Sequence, residues 1–262
     1  MEISMPKKNL KLTILPFILI ATGAISLIVS VVYTSLIPSF IGLGLLFWGA
    51  ILTYIKNDKY VEDTLLYATA FSPLISIEQI LGELDIQGRG YHLSPKYLKK
   101  LDSNKVYISK TKDDQLPKPE QIQEKENQLI IDNPQGILLT SPGDGLLKLF
   151  EKKLGTSFIK VDLRYLKQEM PKLLVEELEI AQDMELIENN GTIRMRVTNS
   201  PFIRLNQETS TLPRLHEALG CALTSAVASA IARTTGKPTL IISQKIDETA
   251  NTLTTDFRTI ED

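Results

Sequence analysis

The stretch LTILPFILIATGAISLIVSVVYTSLIPSFIGLGLLFWGAILTYI, residues 12–55, decides how this chain is read. Its 44 residues include no Asp, Glu, Lys, Arg or His. As one helix rising about 1.5 Å per residue, it would be roughly twice as long as a bilayer requires. Two spans resolve the excess, about 12–33 and about 39–55, with Thr34, Ser35 and Pro38 between them. Pro38 suits a helix start, because its missing N–H would go unpaired there in any case. So short a connection makes the two helices antiparallel neighbours. Lys7, Lys8 and Lys11 precede the first span, Lys56 and Lys59 follow the second, and the turn carries no charge. Basic flanks stay on the cytoplasmic side. The expectation is therefore a multi-pass plasma-membrane protein with residues 1–11 as a cytoplasmic tail and both termini inside.

Other readings of this stretch fit less well. A signal peptide has an apolar core of about 7–15 residues, far shorter than this one. A hairpin buried in a soluble core usually keeps a polar stripe, and a re-entrant loop that never crosses is the third alternative. Gly42, Gly44 and Gly49, with Ala21, Gly23 and Ala24, allow close helix approach and are expected to pack the hairpin on itself. Neither span contains a charged side chain, which argues against an ion or proton pathway.

Composition bounds the rest. About 200 residues follow the hairpin, enough for one good core or two small ones. The net charge is −2, with no basic block of the kind that nucleic-acid binding needs. Cys221 is the single cysteine, so no intramolecular disulfide can form, and a lone thiol fits a reducing compartment. With His92 and His216 the only histidines, a His/Cys metal cluster lacks ligands. No cofactor or nucleic acid is expected.

Residues 56–130 read as juxtamembrane helices, short strands and a charged linker. Lys59 to Thr69 continues as helix. Pro73 interrupts it, and Leu74, Ile77, Ile80, Leu81 and Leu84 recur at helical spacing. Gly88 and Gly90 mark a turn. Val106–Ile108, Leu129–Ile131 and Ile137–Thr140 are strands, with a polar helix around Pro119–Glu126. Tyr91, Tyr97 and Tyr107 among Lys96, Lys99, Lys100, Lys105, Lys110 and Lys112 form a basic–aromatic patch, either an ordinary solvated surface or a contact for acidic lipid or RNA.

Residues 131–262 read as an α+β domain. Asp144 caps a helix that carries Leu146, Leu147, Phe150 and Leu154 and stops at Gly155. Asp162 starts the next, with a kink or restart at Pro171. Asn190-Gly191 joins two alternating runs, Met184–Ile187 and Thr192–Thr198, as a hairpin. Asn199 to Phe202 is a turn, and Thr239–Ile246 and Leu253–Ile260 are the closing strands.

The most distinctive segment of this domain is 212–234, where small residues cover several faces of one predicted helix. Leu219, Gly220, Cys221, Thr224, Ser225, Ala228, Ser229 and Ala232 are the candidate interface or ligand-pocket residues, because small side chains let neighbouring backbones approach. Its apolar centre, about 13 residues bracketed by charges, is too short for a third span. His216-Glu217 is half of a zinc-protease motif without its second histidine, and Gly236-Lys237-Pro238 is a phosphate-loop ending without its upstream glycine. Ser225 and Ser229 have no base nearby in sequence.

The order helix, helix, hairpin, small-residue helix, two strands resembles the vinyl-reductase-type ligand-binding domain and the related subunits of TRAPP vesicle-tethering complexes. The likeness covers about 137–262 and rests on Asn199-Ser-Pro, Leu219-Gly-Cys-Ala, Thr235-Gly-Lys and the final strand with Phe257. It implies helices packed on an antiparallel sheet, dimerisation, and binding of small hydrophobic ligands or partner proteins. That family typically carries several cysteines here; Cys221 alone could match one, so the metal or redox side of the family is not implied. The whole layout also looks like uncharacterised archaeal two-span membrane proteins.

The expected function is a non-enzymatic, membrane-anchored ligand- or partner-binding module. Its expected partners are the lipid bilayer, a second copy joined through helix 212–234 or a membrane-complex partner, and a small hydrophobic ligand. Two alternatives stay open: an enzyme modifying a lipid or isoprenoid, and a structural accessory subunit of a larger membrane complex.

Overall fold

The computed structural model describes residues 10–33, 36–54, 63–100, 103–112, 116–189 and 191–260. The chain forms two compact units, Met1–Val61 and Glu62–Asp262. Lys7, Lys8, Lys56 and Lys59, on which the expected orientation rests, lie outside the described residues, as does Asn190.

The first unit is a pair of helices, α1 (Leu10–Tyr33) and α2 (Leu36–Tyr54). Both are long and apolar enough to cross a bilayer. The second begins three residues before the expected Ser39, so Pro38 sits in its first turn, where no intrahelical N–H bond is lost. Buried positions recur every seven residues, at Pro16, Gly23 and Ser30 on one helix and at Gly42 and Gly49 on the other. That period marks a narrow seam between two helices. A β-carbon on Gly23 would lie 2.9 Å from the Gly42 carbonyl oxygen, and one on Gly42 would lie 2.8 Å from that of Gly23. The backbones therefore touch, as the expected self-packing requires. Away from the seam the surface is apolar, with Phe17, Phe40, Phe47 and Trp48 exposed.

The second unit opens with α3 (Asp63–Glu83), which runs unbroken through Pro73. This corrects the expected interruption. Proline removes one backbone donor but need not end a helix whose next turns are held by packing, and Leu74 and Leu81 are buried against Leu215, Ala218 and Leu219.

The core is one eight-stranded, wholly antiparallel sheet. Its strands are β1 (Gly90–His92), β2 (Lys105–Ser109), β3 (Ile130–Asp132), β4 (Gln135–Thr140), β5 (Asp183–Asn189), β6 (Thr192–Thr198), β7 (Thr239–Asp247) and β8 (Thr252–Thr259). They lie in the order β3-β4-β2-β1-β7-β8-β6-β5. The turn expected at Gly88 and Gly90 is thus partly strand. Gly90–His92 sits in mid-sheet, pairing with β2 on one side and β7 on the other. Segments read separately as 56–130 and 131–262 share this sheet. The expected hairpin at Gly191 is present, with Met184 opposite Val197 and Leu186 opposite Met195.

Alternation decides the faces. His92, Val106, Ile137, Ile193, Met195, Val197, Ile241, Leu253 and Phe257 look toward the helices and are buried. Tyr107 and Leu138 point the other way, under α4 (Pro119–Glu124) with Ile122. Arg194, on that second face, pairs with Asp256.

The helical layer holds α5 (Asp144–Leu154), α6 (Leu163–Lys172), α7 (Pro201–Thr209), α8 (Pro213–Ala218) and α9 (Ala222–Thr235). Gly155 closes α5 in the left-handed conformation, φ 65°. Asp144 is not the cap but the first helical residue; its carboxylate accepts from the Asn104 backbone N–H at 3.0 Å and from Asn104 Nδ2 at 2.6 Å. Asp162 does cap α6, accepting from the Tyr165 N–H at 2.8 Å, and beyond Pro171 the helix continues as a π-helical turn, Leu173–Glu177. The expected turn at Asn199 to Phe202 is instead the start of α7, with Ser200 as its cap and Pro201 first. Capping residue followed by proline is a helix-start signal.

Helix 212–234 also needs correction. It is two helices, α8 and α9, separated at Leu219-Gly220-Cys221. Gly220 is left-handed at φ 64°, a conformation that ends a helix and favours glycine. Gln244 locks the break. It donates to the His216 carbonyl at 2.9 Å and accepts from Asn206 Nδ2 at 2.7 Å.

Candidate functional site

The small-residue stripe lies inside the domain. Leu219, Gly220, Cys221, Thr224, Ser225, Ala228, Ser229 and Ala232 are all buried under the chain's own elements. Small side chains there admit the 141–143 loop: a β-carbon on Gly143 would fall 2.2 Å from the Ala226 backbone nitrogen. Although Pro213–Thr235 is apolar enough to be considered as a span, most of it is covered within the domain. Cys221 is a buried free thiol, with Thr224 Oγ1 3.4 Å away.

The fold also brings together a base and a hydroxyl that are remote in sequence. His92 Nδ1 on β1 lies 3.0 Å from Ser229 Oγ on α9. Ser229 donates to Ser141 Oγ at 3.3 Å, and Ser141 and Ser225 share a hydrogen bond of 2.8 Å. The Gly143 N–H donates to Ser141 Oγ at 3.2 Å. His92 is fully buried, and burial pushes its pKa down to about 3. Its other nitrogen, Nε2, has no hydrogen-bond partner among the described residues. A nucleophile needs a base poised near the working pH, oriented by a third group and open to substrate. This row has none of these properties and acts as a hydrogen-bonded brace between sheet, loop and helix.

His216 is half-buried, with Nδ1 3.4 Å from Thr209 Oγ1; burial lowers its pKa. Among the described residues, no group of three His, Cys, Asp or Glu side chains could hold a metal. The basic–aromatic patch also dissolves as a surface. Tyr97 and Tyr107 are core residues, and Tyr107 donates from its hydroxyl to the Pro134 and Gln135 carbonyls.

Open space lies elsewhere. A cleft of about 160 Å³ is bounded by the end of α3, residues 86–88, β2 and α8. Leu81, Ile86, Ile108 and Ala218 form its floor, each almost wholly covered, and Gln87, Lys112, Arg214 and Glu217 make most of the rest of the lining polar or charged. Its mouth is charged. Lys112 Nζ and Glu217 Oε1 are 3.0 Å apart, both half-exposed. Arg214 Nη1 stands 3.5 Å from Glu78 Oε1, and Glu78 Oε2 accepts the Leu215 N–H at 2.8 Å. Gly88 is required here, because a β-carbon would come within 2.1 Å of Ser109 Oγ. Sequence reading missed this site. Its walls come from four segments that carry no shared motif, and Lys112 and Glu217 are 105 positions apart.

A hairpin of two apolar helices, followed by a mixed α/β domain on one antiparallel sheet with a cleft beside it, defines the class of protein. More particularly, the chain belongs to the family described as Domain of unknown function (DUF7982), whose model matches residues 9–255, across both units. No curated protein and no solved structure matches the chain.

Proposed function

We propose that this protein is a membrane-anchored, non-enzymatic module that binds a small amphiphilic molecule in the cleft between α3, β2 and α8. The cleft carries the reading: a concave site with an apolar floor and convergent polar groups around its mouth is a common setting for a small molecule. The buried His92–Ser229 contact offers no competing reaction centre, since a base with a pKa of about 3 is a poor proton acceptor near neutrality. The two apolar helices supply the anchor, and the lysines flanking them favour a cytoplasmic domain. Likeness to the vinyl-reductase-type and TRAPP-subunit domains points toward ligand binding as well. A dimer of this module would use surfaces other than the stripe from Leu219 to Ala232, which one chain already covers.

The test uses the full chain in mild detergent. Fragment-sized probes such as isoamyl alcohol and phenol are expected to raise its melting temperature saturably. Gln87→Trp, an exposed change at the cleft, should abolish the rise. No stabilisation by any probe, or an equal rise in the variant, would overturn the reading. The anchor is tested by carbonate washing of membranes; release of the intact chain into the supernatant would refute it.

A further inference from the structure

The charges at the mouth of the cleft say more about its ligand than the walls do. Lys112 and Glu217 face each other in solvent, 3.0 Å apart. An exposed pair of this kind contributes little to stability and exchanges partners readily. Arg214 adds a second cation at the mouth, and its contact with Glu78 is long, at 3.5 Å. A guanidinium has five N–H donors, so one carboxylate does not exhaust it. The lining thus presents donors for a carboxylate beside an acceptor for an ammonium, above the apolar side chains of Leu81, Ile86, Ile108 and Ala218.

Resting on the reading of this cleft as a ligand site, we infer that it takes a small zwitterion with an apolar tail, the chemistry of an α-amino acid with an aliphatic or aromatic side chain. Charge matching selects this class. A simple anion taken by Lys112 would leave Glu217 unpaired beside it, and one taken by Arg214 alone would leave the Lys112–Glu217 pair in place and gain a single contact. A simple amine taken by Glu217 would leave Lys112 unpaired. A neutral apolar molecule leaves the exposed pair in place and gains from the walls alone. The zwitterion separates Lys112 from Glu217 and gives each a new partner, with no charge left over. Size sets the tail. About 160 Å³ is close to the roughly 150 Å³ cavity that accommodates one benzene ring, so a leucine- or phenylalanine-sized side chain matches the space.

Titration calorimetry of the full chain in detergent tests this with four probes of like shape: L-leucine, 4-methylpentanoate, isoamylamine and isoamyl alcohol. L-Leucine is expected to bind saturably, at least about tenfold more tightly than the acid or the amine, a difference of about 1.4 kcal/mol. Lys112→Met and Glu217→Gln lie at the surface and should each weaken L-leucine by about tenfold and isoamyl alcohol by much less. If the acid or the amine binds as well as L-leucine, or if neither variant matters, the zwitterion inference falls and the cleft remains a ligand site. If none of the four binds, both fall.

Discussion

His92 and Ser229 are 137 residues apart in sequence and 3.0 Å apart in space, joined beneath the middle of the sheet. The bond ties the central strand β1 to the buried helix α9, and its histidine stays neutral because no water reaches it. A proton added there would be a charge taken out of water, and burial opposes it.

Stability should therefore fall with acid. The unfolded chain protonates His92 near pH 6.5, whereas the folded chain resists until about pH 3. The contribution is complete above pH 6.5 and is lost as the pH drops toward 3, at roughly 1.4 kcal/mol per unit. His216, whose pKa burial also lowers, adds a slope of the same sign. Urea unfolding between pH 7.5 and 5.5 should show the decline, and His92→Gln should flatten it. An equal slope in that variant would remove His92 from the account.

Gly143 brings the 141–143 loop against the backbone of α9. Gly143→Ala should cost about 3 kcal/mol, since the added carbon has to displace backbone at Ala222 and Ala226. Gly145→Ala, two residues on, meets nothing within 4 Å and lies inside α5, so it should be neutral or slightly stabilising. Thermal unfolding of the two variants side by side makes the comparison.

The hairpin offers a parallel contrast. Gly42→Val would force its helix away from Gly23, whereas Gly44 faces open space and should accept valine. Trp48, the chain's one tryptophan, lies on α2 and reports on this unit. Its fluorescence during detergent melting should shift to lower temperature for Gly42→Val and remain unchanged for Gly44→Val.

Glu151 holds three donors at once. Arg233 Nη1 reaches its two oxygens at 2.9 and 3.1 Å, and Ser157 Oγ and the Phe158 N–H bind Oε1 at 2.8 and 2.9 Å. Removing one partner of a buried ion pair typically costs about 3–5 kcal/mol. Glu151→Ala should destabilise more than Arg233→Met, because the second change leaves Ser157 and Phe158 still bonded. Denaturant midpoints that rank the other way would contradict this.

Much of the order along the chain was legible. The two apolar helices, the hairpin at Gly191, Asp162 as a cap and Gly155 as a stop each depend on residues within one turn or one strand of each other. What failed to show locally was β1, three residues long behind two glycines, and α7, whose cap at Ser200 was read as a turn. The break at Gly220 was hidden by the small residues around it, which suit a continuous helix equally well. Gln244, 24 positions away, helps hold that break.

Apolar periodicity and the lack of charge over 44 residues determined by themselves that a pair of greasy helices precedes a mixed domain. Only the tertiary structure decided that the small-residue helix is an inner beam and that the open site lies beside Lys112 and Glu217. The reason is physical. Periodicity reports which face of an element is buried, but the identity of the covering surface depends on strand order, and the order here places the early strand β1 against the late strand β7.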